Sequence, residues 1–222
     1  MKLSAKLRES SSHIWDSILR HPFVVELYSG RLPLEKFKYY VIQDYNFLVG
    51  MTKAFSIIAA KTREYDLLKT ALELAYGDVT IEMDNYIKLL NKLGLSLEEV
   101  IRTEPAPTNY AYVNHILVTC TLYSPLECMV SMLPCFWSYM VIAETHKNLL
   151  ENNPVEVYKD WALVYLSKEY RDLTTRLINI VDDLWNRYGS DYEFLDWIFK
   201  TSSRYEYLFW DMAYNIERWK PE

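Results

Sequence analysis

Ser124-Pro125-Leu126-Glu127-Cys128-Met129-Val130-Ser131-Met132-Leu133-Pro134-Cys135-Phe136-Trp137-Ser138-Tyr139-Met140-Val141-Ile142-Ala143 is the stretch that decides the fold. Ser124-Pro125 sets a proline at a first helical position, a start signal, and from Cys128 to Ala143 no residue is charged. That segment holds 16 residues and includes Ser131, Pro134 and Ser138, short of the ~20 apolar residues that a membrane span needs. It reads as a buried helix. Within it Cys128, Met132, Cys135 and Tyr139 recur at spacings of four, three and four, so two thiols and a phenol share one helix face. Pro134 cannot donate a backbone hydrogen bond, so the ladder is expected to open or kink beside Cys135.

The same pattern extends along the chain. There are only 5 Gly, no Asn-Gly or Asp-Gly hairpin signal, and long runs of apolar residues at three and four spacing. The fold class expected is all-α, with no sheet and about seven or eight helices. A first helix is expected over Leu3 to Arg20, ending before His21-Pro22. Leu32-Pro33-Leu34-Glu35 opens a long helix whose inner stripe carries Phe37, Tyr40, Val41, Asp44, Leu48 and Met51. Ser96-Leu97-Glu98-Glu99 and Ser190-Asp191-Tyr192-Glu193 both have the capping-box pattern. Thr103-Glu104-Pro105-Ala106-Pro107-Thr108 reads as a loop. No repeat or linker divides the sequence, which makes residues 1–222 a single helical domain.

Bulk properties narrow the function classes. With 50% hydrophobic residues in 222, the chain can bury a sizeable core. A net charge of −6, with 24 Lys and Arg scattered among 30 Asp and Glu, offers no basic stripe for phosphates, so no nucleic-acid partner is expected. Cys120, Cys128 and Cys135 make an odd count with no Cys-x-x-Cys, which indicates neither a disulfide framework nor a thiolate zinc site and points to a reducing cytoplasm. The charged N-terminal turns lack the apolar core of a signal peptide. No membrane partner is expected. His13, His21, His115 and His146 are dispersed without a Glu-x-x-His pair, which argues against a di-iron site and leaves haem only as an alternative on a similar scaffold. Gly-rich phosphate loops are missing. No metal or cofactor is expected.

Six side chains stand out in segments that otherwise look buried: Asp44, Tyr112, Cys135, Tyr139, Tyr165 and Glu206. A carboxylate among large apolar neighbours is costly to bury unless paired, so two of them with a thiol suggest a lined pocket. Read from the residues alone, Asp44 fits either a pocket or a solvated helix face, and Glu206 either a pocket or an ordinary salt bridge, with Arg204 nearby, or a solvated face. Cys120 and Cys128 read as small core hydrophobes. Cys135 has no Lys, Arg or His within four residues, so activation needs a partner from elsewhere in the fold. The 19 Tyr and 7 Trp would suit a pocket for a flat heteroaromatic ligand.

Several blocks together resemble the TenA proteins, the thiaminase II or aminopyrimidine aminohydrolase family. They are His21-Pro22-Phe23, Leu32-Pro33 with Phe37 to Tyr45, Thr108-Asn109-Tyr110-Ala111-Tyr112, Leu133 to Tyr139, Trp161 to Tyr165, and Glu206 with Phe209-Trp210-Asp211-Met212-Ala213. The resemblance implies a helical fold of the haem-oxygenase-like type without the haem, assembled as a homotetramer. It also implies hydrolysis at the methylene carbon of an aminopyrimidine, releasing hydroxymethylpyrimidine from aminomethylpyrimidine or from thiamin. By that resemblance Cys135 matches the nucleophile and Glu206 the acid/base. Asp44, Tyr139 and Tyr165 match groups that hold the pyrimidine, and Tyr112 matches a pocket tyrosine. Cys135 places the chain in the cysteine-bearing branch. Phe47 offers a stacking face, and it stands where some members carry a tyrosine thought to assist the cysteine. A non-catalytic carrier or regulator using the same pocket is the competing expectation.

Overall fold

A computed structural model describes residues 2–221. Among them the chain is helical throughout, in the order α1 (Leu3–Ser10), α2 (Ser12–Leu19), α3 (Pro22–Tyr28), α4 (Leu34–Lys61), α5 (Tyr65–Gly77), a π turn (Asp78–Glu82), α6 (Met83–Leu93), α7 (Leu97–Arg102), α8 (Pro107–Leu122), α9 (Pro125–Glu151), α10 (Glu156–Leu166), α11 (Lys168–Tyr188) and α12 (Tyr192–Asn215). The π turn joins α5 to α6 in one unbroken rod, so the twelve α segments make eleven helices rather than seven or eight.

Part of the difference is the break at Ser11, which divides the expected helix from Leu3 to Arg20. The Ser11 hydroxyl donates to the carbonyls of Leu7 at 2.8 Å and Arg8 at 3.2 Å. This local bonding competes with the helix ladder, and Ser11 leaves helical geometry at φ −101°, ψ 8°. The short α3 and α7 supply the rest. Pro33 is the cap residue before α4 rather than part of its first turn. Ser96 forms the expected capping box with Glu99. Ser124 forms another with Glu127. At α12 the cap is Asp191, which accepts from the Glu193 amide at 3.0 Å, while Ser190 donates to Glu127 at 2.5 Å.

Helix α9 is the axle of the fold. It packs against α12, α11, α8 and α10, and residues Leu126 to Pro134 are all buried. A helix apolar on every face belongs inside a protein. By length and composition it could cross a membrane, but 72% of its apolar window is buried in the fold. The helix continues through Pro134.

Helix α4 lies against α5 and α8. Gly50 permits the second approach, since a Cβ there would meet Val113 Cγ1 at 2.7 Å. Buried Gln43 fixes the start of α8: its Oε1 accepts from the Ala106 amide at 2.8 Å and from Asn109 Nδ2 at 3.0 Å, and its Nε2 donates to the Glu104 carbonyl at 3.2 Å. These bonds hold the neighbouring Asp44 in register.

One sequence expectation is overturned. Cys120, at the end of α8, and Cys128, in the first turns of α9, form a disulfide with Cα atoms 4.4 Å apart. They are not separate core hydrophobes. The tight Tyr123–Ser124 turn folds α8 back on α9 and brings together two cysteines that spacing along a single helix could not pair. Cys135 is left as the free cysteine among the described residues.

Candidate active site

A cavity of about 110 Å³ opens between α4, the π turn, α9, α10 and α11. Tyr40, Asp44, Phe47 and Met51 project into it from successive turns of α4, as three and four spacing dictates. Cys135 and Tyr139, one turn apart on α9, face them, and Tyr165 of α10 and Tyr170 of α11 close the side. The aromatic wall is rigid. Tyr139 shares a 2.9 Å hydrogen bond with Tyr40 and packs against Tyr165 with ring centroids 4.8 Å apart. Tyr40 in turn stacks on fully buried Trp210 at 5.3 Å.

Tyr112 and Glu206 sit one layer back. Glu206, 3% exposed on α12, accepts from the Tyr112 hydroxyl at 2.6 Å and from Ser138 Oγ at 3.2 Å. The Tyr112 ring lies between Phe47, with centroids 5.0 Å apart, and Tyr205, stacked at 5.1 Å. Neither Tyr112 nor Glu206 lines the cavity directly. The Arg204 salt bridge open to Glu206 from sequence is not formed among the described residues, where the carboxylate's partners are Tyr112 and Ser138.

The electrostatics follow from burial. Asp44 is pushed from 3.8 up to about 8 by burial and then by the charges of Glu82 and Glu206, with no hydrogen bond to offset them. Burial also raises Glu206 to about 7, against the opposing hydrogen bonds from Tyr112 and Ser138. Cys135 is pushed well above its usual range by burial first, then by Glu206 and Asp44. The thiol is therefore protonated near neutral pH, and a base must take its proton before the sulfur can act as a nucleophile. A carboxylate titrating near 7 suits that task.

The sequence reading missed Asp78 and Glu82, which line the cavity from the π turn. Burial raises Asp78 to about 7 and raises Glu82 as well. One signal was present in the sequence: two like charges four residues apart destabilise an exposed helix; the π turn that aims them into the cavity is visible only in the structure. Ser138 was also missed as a partner of Glu206.

No histidine lines the cavity. His21 Nδ1 accepts from the Phe23 amide at 3.1 Å, His115 pairs with Ser202 at 3.1 Å, and His146 donates to the Leu19 carbonyl at 2.8 Å. Among the described residues no group of three or more His, Cys, Asp or Glu is arranged to hold a metal ion.

Comparison with known proteins places this geometry. An aminopyrimidine aminohydrolase of Halalkalibacterium halodurans is 33% identical over 220 residues, covering 99% of this chain and 98% of that protein. A solved TenA homologue from P. horikoshii OT3 is 48% identical with a TM-score of 0.93, covering 97% of this chain and 99% of the other. A Shewanella denitrificans domain of heme oxygenase-like fold is 14% identical with a TM-score of 0.77, covering 96% and 92%, and shares the fold alone. The TENA/THI-4/PQQC family pattern matches residues 8–216, and the chain belongs to that family.

Proposed function

We propose that this protein is an aminopyrimidine aminohydrolase of thiamin salvage, releasing hydroxymethylpyrimidine from aminomethylpyrimidine and from thiamin. The observation that carries the reading is the placement of its free thiol, Cys135, in an aromatic cavity directly with Asp44. Family membership and the name of the Halalkalibacterium relative support it.

In this reading the pyrimidine lies on Phe47. Asp44, proton-bearing up to about pH 8, donates to a ring nitrogen and accepts from the exocyclic amine. Tyr139 and Tyr165 complete the polar contacts. Glu206 takes the Cys135 proton, and the sulfur forms a bond to a ring carbon. The displaced ring electrons break the bond between the methylene carbon and the leaving nitrogen, which departs with the electron pair; an amine takes the proton held by Glu206 as it leaves, whereas a thiazolium leaves as neutral thiazole and that proton passes to solvent. Water adds at the methylene, its proton passes to Glu206, and the sulfur is expelled to restore the aromatic ring. Holding the ring against the sulfur supplies much of what a weakly activated thiol lacks. Phe47 cannot assist as a tyrosine would, so activation of Cys135 rests on Glu206 and the Tyr112 and Ser138 bonds that orient it.

The working form in this reading is a homotetramer; the Cys120–Cys128 bond removes the sequence argument for a reducing cytoplasm. Tyr65, Leu72, Tyr76, Val79 and Ile81 form an apolar stripe along α5 and the π turn, each more than half exposed, which suits burial against another copy. Light scattering of the purified chain tests the assembly. Product analysis with each substrate tests the activity, and pyrimidine binding without release would move the assignment to a carrier or regulator.

A further inference from the structure

Tyr112 and His115 lie three residues apart on α8, and Ser202 and Glu206 lie four apart on α12, so each pair shares a helix face. Two hydrogen bonds cross between these faces as successive rungs. One is the 2.6 Å bond from Tyr112 to Glu206, and the other joins His115 Nε2 to Ser202 Oγ at 3.1 Å. Tyr205, beside Glu206 on α12, lies against both α8 rings: it stacks on Tyr112 with centroids 5.1 Å apart, and it meets His115 at 5.8 Å. Trp197, also from α12, stands edge-on to His115 at 6.2 Å. Ser202 is fully buried, and His115 is the side-chain partner of its hydroxyl.

Among the described residues the Tyr112 hydroxyl makes its one hydrogen bond to Glu206, so neighbouring groups must hold the ring where that bond can form. A displacement of about 1 Å would break it. We infer that His115 is a positioning residue: bonded to Ser202 and braced on Tyr205, it locks α8 to α12 and holds Tyr112 where its hydroxyl donates to Glu206. This rests on the proposed hydrolase reading and deepens it, because Glu206 is the base for Cys135 in that reaction.

The route of the effect follows from the surroundings of both groups. Burial lowers the pKa of His115, against a hydrogen bond to the Ile198 backbone, so near neutral pH the imidazole is uncharged and works through its bond and its ring face. The side chains whose hydrogen bonds or charges couple to Glu206 are Asp44, Tyr112, Cys135, Ser138, Tyr139 and Tyr170. His115 is not one of them, and it does not line the cavity. Its influence on Glu206 passes through Tyr112, and KM should be spared.

The test is a double-mutant cycle on the full chain, read as the pH-rate limb of Glu206 at about 7 during hydroxymethylpyrimidine release. His115→Ala is expected to move that limb upward by about half a unit or more, lowering kcat at neutral pH about twofold or more with KM unchanged. His115→Gln, whose amide reaches the place of Nε2, should restore it. In a Tyr112→Phe background His115→Ala should move the limb no further. Ser202→Ala deletes the same bond by removing one buried oxygen and should shift the limb in the same direction, which keeps the test open if His115→Ala fails to fold. An unmoved limb in the foldable variants, or an equal shift with and without the Tyr112 hydroxyl, would overturn the inference. Carbon-13 NMR of the Glu206 carboxyl reads the same titration without turnover, so the expected shifts in a protein that releases no product would refute the hydrolase reading and leave the role of His115 standing.

Discussion

The Tyr112 hydroxyl donates to Glu206 at 2.6 Å from behind the wall of the cavity, with Ser138 donating to the other carboxylate oxygen at 3.2 Å. Both bonds stabilise the ionised form of Glu206 and oppose the rise that burial imposes. Removing either should make Glu206 a weaker acid. Tyr112→Phe is expected to move the pH-rate limb governed by Glu206 upward from about 7 by about one unit, with about a fivefold loss of kcat at neutral pH. Ser138→Ala should shift it less, its bond being longer. An unmoved limb in Tyr112→Phe would remove Glu206 as the titrating group.

Asp44 provides a stability test. The folded protein holds this proton up to about 8, whereas the unfolded chain releases it near 3.8. Between those values the folded state binds more protons, so the Asp44 contribution to stability is lost as pH rises. Asp44→Asn is expected to raise Tm at pH 8 by about 5 °C or more, with the gain shrinking toward pH 4. It should also weaken pyrimidine binding. A gain in Tm independent of pH would show that Asp44 ionises normally.

The Cys120–Cys128 disulfide closes a short loop between α8 and α9. Thiol titration of the unfolded, unreduced protein should count one reactive cysteine, and three after reduction. Cys120→Ala should lower stability by about 2–3 kcal/mol on the chain-entropy account. Three thiols before reduction would contradict the pairing.

What the sequence disclosed and what it hid have physical causes. Cys135 and Tyr139 share a face because both lie on one uninterrupted helix, where spacing translates directly into geometry. Asp44, Phe47 and Met51 follow the same rule on α4. The role of Glu206 was open from its own neighbours, since Arg204 was as plausible a partner as a pocket. Its actual partners, Tyr112 and Ser138, are 94 and 68 residues away. The disulfide depended on how sharply the chain turns at Tyr123–Ser124. Asp78 and Glu82 escaped notice because a π turn, rather than regular helix, aims them. The break at Ser11 is a contest between side-chain and backbone hydrogen bonds that apolar periodicity does not register.

The most direct measurement is hydroxymethylpyrimidine release from aminomethylpyrimidine by the wild-type protein and by Cys135→Ser, together with pyrimidine binding by both. Release by the wild type, its loss in the variant by at least about a thousandfold, and retained binding are the expected results. Turnover that survives in Cys135→Ser would contradict the assignment of Cys135 as the nucleophile.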